Sequence, residues 1–149
     1  MPYPESIKTI KELKEYNKLP IEEKKRLYRE DIINFYNNLK PFNDNPDKIP
    51  DIPQIGEWFT KEIYNEVVIP NLIRCGAIPK SKLKIGQWYI GDTRNTNYAM
   101  WDGKEFIHER CKWNMWFKDK VNHFEDDNGY ALFVPIKEID KPENLHCDF

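Results

Sequence analysis

Between residues 5 and 40, apolar side chains recur at helical intervals on a background of Lys and Glu. Tyr28, Ile32, Phe35, Tyr36 and Leu39 are four, three, one and three positions apart, the spacing of one apolar stripe on an α-helix. Ile7, Ile10 and Leu13 predict a shorter helix upstream. Pro20 suits the first turn of the longer helix, where its fixed φ is already helical and its missing N–H is not needed. KPFNDNPDKIPDIPQI follows, with four prolines and no period, so an extended connection running over a surface is expected. Helical composition returns in GEWFTKEIYNEVVIPNLIRCGAIP. There Phe59, Ile63 and Val67 are spaced by four, Pro70 is expected to kink or break the helix, and Gly76 to end it.

The period changes at residue 83. Of the 21 aromatic residues, 11 lie within residues 83–139, in short runs separated by turn residues, which is strand composition. LKIGQWYIG, NYAMW, KEFIHER, WNMWF and YALFVPI are the candidate strands. YALFV is apolar throughout and reads as a central strand ending at Pro135. The predicted fold class is α+β: N-terminal helices followed by a small, mostly antiparallel curled sheet or partial barrel of about five strands. Residues 1–40 form a helical arm, 41–55 a Pro-rich linker and 56–149 a helix plus the β part, within one compact domain overall.

Asp102-Gly103 is the strongest local signal, because a two-residue type I′ turn needs positive φ at both positions. With that turn, Trp101 faces Lys104, Ala99 faces Phe106, Asn97 faces His108 and Asn95 faces Arg110. One side of the hairpin then carries an apolar platform, Trp101, Ala99 and Phe106, beside polar Asn95, Asn97, His108 and Arg110. With Arg94 next to it, this surface suits a planar polar ligand or a peptide: the rings supply burial, the amides and guanidinium direction. The plainer reading is structural. Asparagines near turns satisfy backbone groups, Arg110 pairs with a carboxylate such as Glu109, and strand aromatics fill cores.

NHFEDDNGY gathers His123, Glu125, Asp126 and Asp127. These groups suit a divalent cation, or a general base at His123 oriented by Asp126 or Asp127. No HExxH, calcium-loop spacing or second histidine at a ligand interval accompanies them, and an acidic turn before a strand accounts for the run equally. No metal is therefore assigned. His108 reads as a strand residue near Arg110, and His146 lies in the tail.

Composition narrows the classes. With 149 residues the chain fits one domain, and a formal charge of −2 with pI near 6.0 disfavours nucleic acid as a partner. No cleavable leader or membrane-length apolar run is present, so a soluble, cytoplasmic protein is expected. Cys75, Cys111 and Cys147 form no CxxC pair, which indicates neither a disulfide framework nor a zinc site. Gly-rich phosphate loops, GxSxG and a recognisable nucleophilic cysteine are missing, and no cofactor is indicated. The Lys and Glu of the arm read as a solvated helical face, although its apolar stripe also suits a partner helix.

GAIPKSKLKIGQWYIGDTRNTNYAMWDGKEFIHER with VNHFEDDNGYALFVPI resembles a pattern of small phage, prophage and bacterial proteins without an established activity, over residues 76–136. The residues that carry the resemblance are Arg94, Asn95, Ala99, Trp101, His123, Glu125, Asp126, Asp127, Phe133, Val134 and Pro135. This chain has Thr93 where the pattern often has Cys before the Arg, so a reactive thiol is not implied there. Two functions follow as expectations. One is a binding module, a phage-type accessory protein capturing a host protein or a small, polar, nucleotide-like molecule on the 94–110 hairpin. The other is a small hydrolase or transferase in which His123 with Glu125, Asp126 and Asp127 acts on a ligand held by Arg94, Asn95 and Arg110.

Overall fold

The computed structural model describes residues 8–93, 96–112, 115–126 and 132–142, with the side chains of 110–112, 115 and 116 outside that description. Two helices open the chain, α1 (Ile10–Asn17) and α2 (Ile21–Asn37). The Thr9 hydroxyl caps α1 by accepting the Glu12 N–H at 3.1 Å, and Pro20 occupies the N-cap of α2. Most of the anticipated stripe faces inward: Tyr28 and Tyr36 are buried, with Ile32 and Leu39 packed against the same cluster. Phe35 does not. Adjacent positions diverge by about 100° around a helix, so Tyr36 and Phe35 cannot both point at the core, and Phe35 remains 42% exposed.

The third helix covers residues 61–75, with α-helical Lys61–Ile63 and Ile69–Cys75 on either side of a π-helical Tyr64–Val68. Pro70 was expected to kink or break this helix, and the helix continues past it to Cys75. A proline removes one N–H and crowds the carbonyl four residues back. Here the wider π turn, with the Ile69 N–H bonded to the Tyr64 carbonyl, precedes the proline and lets the helix continue. The extra residue also rotates the buried face. Ile63, Tyr64, Val68, Leu72 and Cys75 are buried, while Val67, anticipated as a core position, is only partly covered. Gly76, at φ +129°, ends the helix as anticipated. Residues 41–55 do more than connect. Phe42 and Ile49 are buried in the same cluster, and the Phe42 N–H bonds the Cys75 carbonyl at 2.9 Å.

All five anticipated strands form: β1 (Trp88–Asp92), β2 (Tyr98–Trp101), β3 (Phe106–Lys112), β4 (Met115–His123) and β5 (Leu132–Ile139). They are ordered β1-β2-β3-β4-β5, with β5 returning to β1, so this mixed sheet closes into a ring and the fold is α+β. Four pairings are antiparallel and β4 with β5 is parallel. Side-chain alternation then produces two cores. Tyr89, Ala99, Trp101, Phe106, Val121 and Phe133 fill one cluster, whereas Val134, Ile136 and Phe124 join the cluster of the helices.

β5 does not stop at Pro135. Gly91 pairs with Pro135 and Ile90 with Lys137, leaving Ile136 as an extra residue in a bulge. A proline lacks the N–H that a regular ladder requires, and a bulge is where a strand tolerates that loss. Close approach of β1 is possible because residue 91 is glycine. A Cβ there would collide with the Val134 carbonyl oxygen and lie 2.9 Å from the Phe133 ring.

Candidate functional site

The hairpin turn is longer than anticipated. Trp101 pairs with Phe106 and Met100 with Ile107, so residues 102–105 form a four-residue loop rather than a two-residue turn. Asp102 is the cause: its carboxylate accepts the Lys104 and Glu105 N–H groups at 2.8 and 2.7 Å. These bonds, the Glu105 one first, hold its pKa below the usual carboxylate value. Gly103 supplies the positive φ, +103°. The pairing slips by two residues, and a two-residue slip keeps each side chain on its side of the sheet. Trp101, Ala99, Phe106 and His108 therefore still share a face.

That face points inward. Trp101 is 4% exposed and Phe106 0%, so the anticipated open aromatic platform is instead packed core, each ring beside the other at 4.9 Å. Asn97 is exposed, and its carbonyl accepts the Gly91 N–H at 2.9 Å. His108 is buried, with Nε2 4.0 Å from an Asp119 carboxylate oxygen. The anticipated cluster of Asn97 and His108 on one exposed surface is thus divided between solvent and interior. Arg94, Asn95 and Asp127 lie outside the described residues, as does the side chain of Arg110.

His123 is fully buried, its ring 6.0 Å from Phe106 and 4.2 Å from Phe124. Nδ1 accepts the Glu125 N–H at 3.1 Å, which leaves Nε2 as the protonated nitrogen, 2.8 Å from the Ile78 carbonyl it donates to. Burial pushes its pKa down to about 4, against the opposing bond to Ile78. The ring is consequently neutral, and both nitrogens are engaged by backbone. Ile78 in turn donates its N–H to the Pro135 carbonyl at 2.8 Å, so through Ile78 the segment before β1 is tied to His123 at the end of β4 and to the middle of β5. A proton-transfer role would require breaking one of these buried bonds. Asp126 pairs with Lys80 at 2.6 Å, and the Lys80 ammonium lies 5.9 Å from the centre of the Trp101 ring, partly covering it. Among the described residues, no group of three or more His, Cys, Asp or Glu is placed to hold a metal ion.

Two features escaped the hydropathy pattern. Asp92, at the end of β1, has its carboxyl pushed up by burial and then by Asp51 and Asp47, a proximity that only the fold creates. The second is an open groove of about 450 Å³ beside α2, lined by Asp31, Asn34, Phe35, Asn38, Leu39 and Lys40. Asp31, Asn34, Phe35 and Asn38 follow i, i+3, i+4, i+7 spacing and so form one stripe. Phe35 was anticipated within the core stripe, and its neighbour Tyr36 is the signal that separates them. Asn38 is held by a bond from its amide to the Asn34 carbonyl at 2.8 Å.

Among the described residues no helix is long and apolar enough to cross a membrane. The class defined by fold and groove is an α+β protein whose closed sheet buries Tyr89, Trp101, Phe106 and Phe133 and which leaves Phe35 on α2 and Tyr98 on β2 exposed. No protein-family model, curated protein or solved structure matches the chain.

Proposed function

We propose that this chain is a binding module that engages a protein segment through the α2 groove. The observation that carries the reading is Phe35, a large aromatic left 42% exposed among the groove's amides and opposite charges. Exposed aromatics flanked by polar groups are the composition of interface anchors, and an i, i+3, i+4, i+7 stripe is how helices present them. An extended or helical peptide suits this open groove better than a small nucleotide-like molecule, which needs deeper enclosure. The Trp101–Phe106 face of the hairpin is not the working surface in this reading, because both of those rings are core. The hydrolase or transferase alternative loses its base, since both His123 nitrogens are bonded to backbone. A place among phage or bacterial accessory proteins rests on the resemblance of residues 76–136 alone.

Selection of a random peptide library on the intact protein, with counter-selection on Phe35→Ala, tests the reading. Peptides that bind the parent chain and lose about tenfold or more in affinity on the variant support it. A library yielding only peptides indifferent to Phe35 overturns it.

A further inference from the structure

Charges on the rest of α2 are mostly matched within the fold. Lys25 meets Glu57 at 2.6 Å, Arg29 meets Glu62 at 3.0 Å, and Arg26 bridges Glu23 and Glu30. Asp31 and Lys40 differ. No salt bridge joins either to another described residue, and both line the groove together with Phe35. Asp31 and Asn38, seven residues apart on the stripe, are separated by about 10 Å along the helix. Lys40 follows two residues after Asn38, past the end of the helix.

This arrangement is its own complement. Rotating a second groove by 180° about an axis near Asn34 and Phe35 places Asp31 of each copy against the Asn38–Lys40 end of the other. The two Phe35 rings then meet at the centre. Such a two-fold contact is isologous: if residue i meets j, then j meets i, so one acid and one base per chain give two equivalent pairs. Apposition of the rings removes from water the aromatic surface that the fold leaves exposed.

We propose that the occupant of the α2 groove is a second copy of this chain, docked antiparallel with Phe35 on Phe35 and Asp31 facing Lys40 in both directions. The inference rests on the binding reading above and names its partner. One groove per chain buries less than the roughly 1,200–2,000 Å² of a stable interface, so the dimer is weak, with a dissociation constant of about 0.1–1 mM. It weakens further with salt, because the charge pairs lie at the rim.

Charge reversal tests it. Sedimentation velocity of the full chain, from low micromolar to millimolar concentration, is expected to show a monomer–dimer equilibrium. Asp31→Lys and Lys40→Asp should each raise the dissociation constant about tenfold, about 1.4 kcal/mol, since each reverses two symmetric pairs. The decisive arm mixes the two variants. Each then meets opposite charges on the other at both pairs, and a heterodimer at least as tight as the parent dimer is expected. A parent chain that stays monomeric to millimolar concentration overturns the proposal, as does a dimer indifferent to both reversals or variants that do not recover on mixing. Circular dichroism checks folding. If a reversal fails to fold, Asp31→Asn and Lys40→Gln replace it, with a smaller loss of dimer expected and no loss overturning the proposal. Failure here is distinguishable from failure of the binding reading: a monomeric chain that still selects Phe35-dependent peptides keeps the groove and loses only the second copy.

Discussion

The ring interior and the α2 groove contain similar chemistry, aromatic rings beside amides and ionisable groups, but they differ in what surrounds it. Inside the ring, Phe106 and Phe133 lie 4.7 Å apart, His123 spends both nitrogens on backbone, and water is excluded. Along α2, Phe35 has Tyr36 edge-on at 5.1 Å on one side and solvent on the other. Among the described aromatic residues, the rings inside the closed sheet are thus buried, whereas Phe35 on the charged helix is exposed to a degree that only Tyr98, on the outer side of β2, approaches. Local density of aromatic and polar residues does not mark a working surface. Their placement relative to water does.

Substitutions separate the two regions by the size of their effects. Phe133→Ala should be the most damaging, costing about 3–5 kcal/mol in denaturant unfolding, because a fully buried ring leaves a cavity. A loss under 1 kcal/mol would show that the ring interior is loosely packed. Gly91→Ala follows, at about 3 kcal/mol, since the new methyl meets the Val134 carbonyl at the bulge and a rigid strand cannot move aside cheaply. A neutral result would mean that β1 and β5 separate without cost, breaking the picture of a closed ring.

His123 sharpens the contrast through pH. Its folded pKa of about 4 lies below the usual 6.5, so the unfolded chain binds the proton more readily than the native one. The stability it contributes is complete above pH 6.5 and is lost as pH falls toward 4, a loss of about 3 kcal/mol. Comparing parent with His123→Gln isolates this slope. The variant is less stable at neutral pH, where the Glu125 N–H loses its Nδ1 acceptor, but its stability should fall less between pH 6.5 and 4. Parallel curves would mean that His123 is solvated and free to act as a base. The smallest effect belongs to the groove. Phe35→Ala should change stability by less than about 1 kcal/mol while abolishing peptide or self-association. A large destabilisation would transfer Phe35 to the core and erase the difference between the two regions.

Much of the fold is legible along the chain because it depends on near neighbours. Helical spacing marked α2, Pro20 its start and Gly76 the end of the third helix. Turn residues separated five strands that all form, since period and backbone preference are local properties. The site was less legible for a definite reason. Period two states which residues of the hairpin share a face, and Trp101, Phe106 and His108 do share one, but no period states which face of a sheet meets water. Closure of the ring by β5 against β1 decided that, turning the anticipated platform into core and His123 into a backbone tie. Pro70 and Pro135 teach the same lesson. Each local rule forecast an interruption, and a π turn in one case and a bulge in the other absorbed the missing N–H because packing on both sides held the element together. The chain by itself therefore determined which elements form and which side chains travel together. Only the tertiary structure decided which of those groups are spent inside the molecule and which, like Phe35, remain in solvent, because burial depends on contacts between segments far apart in sequence.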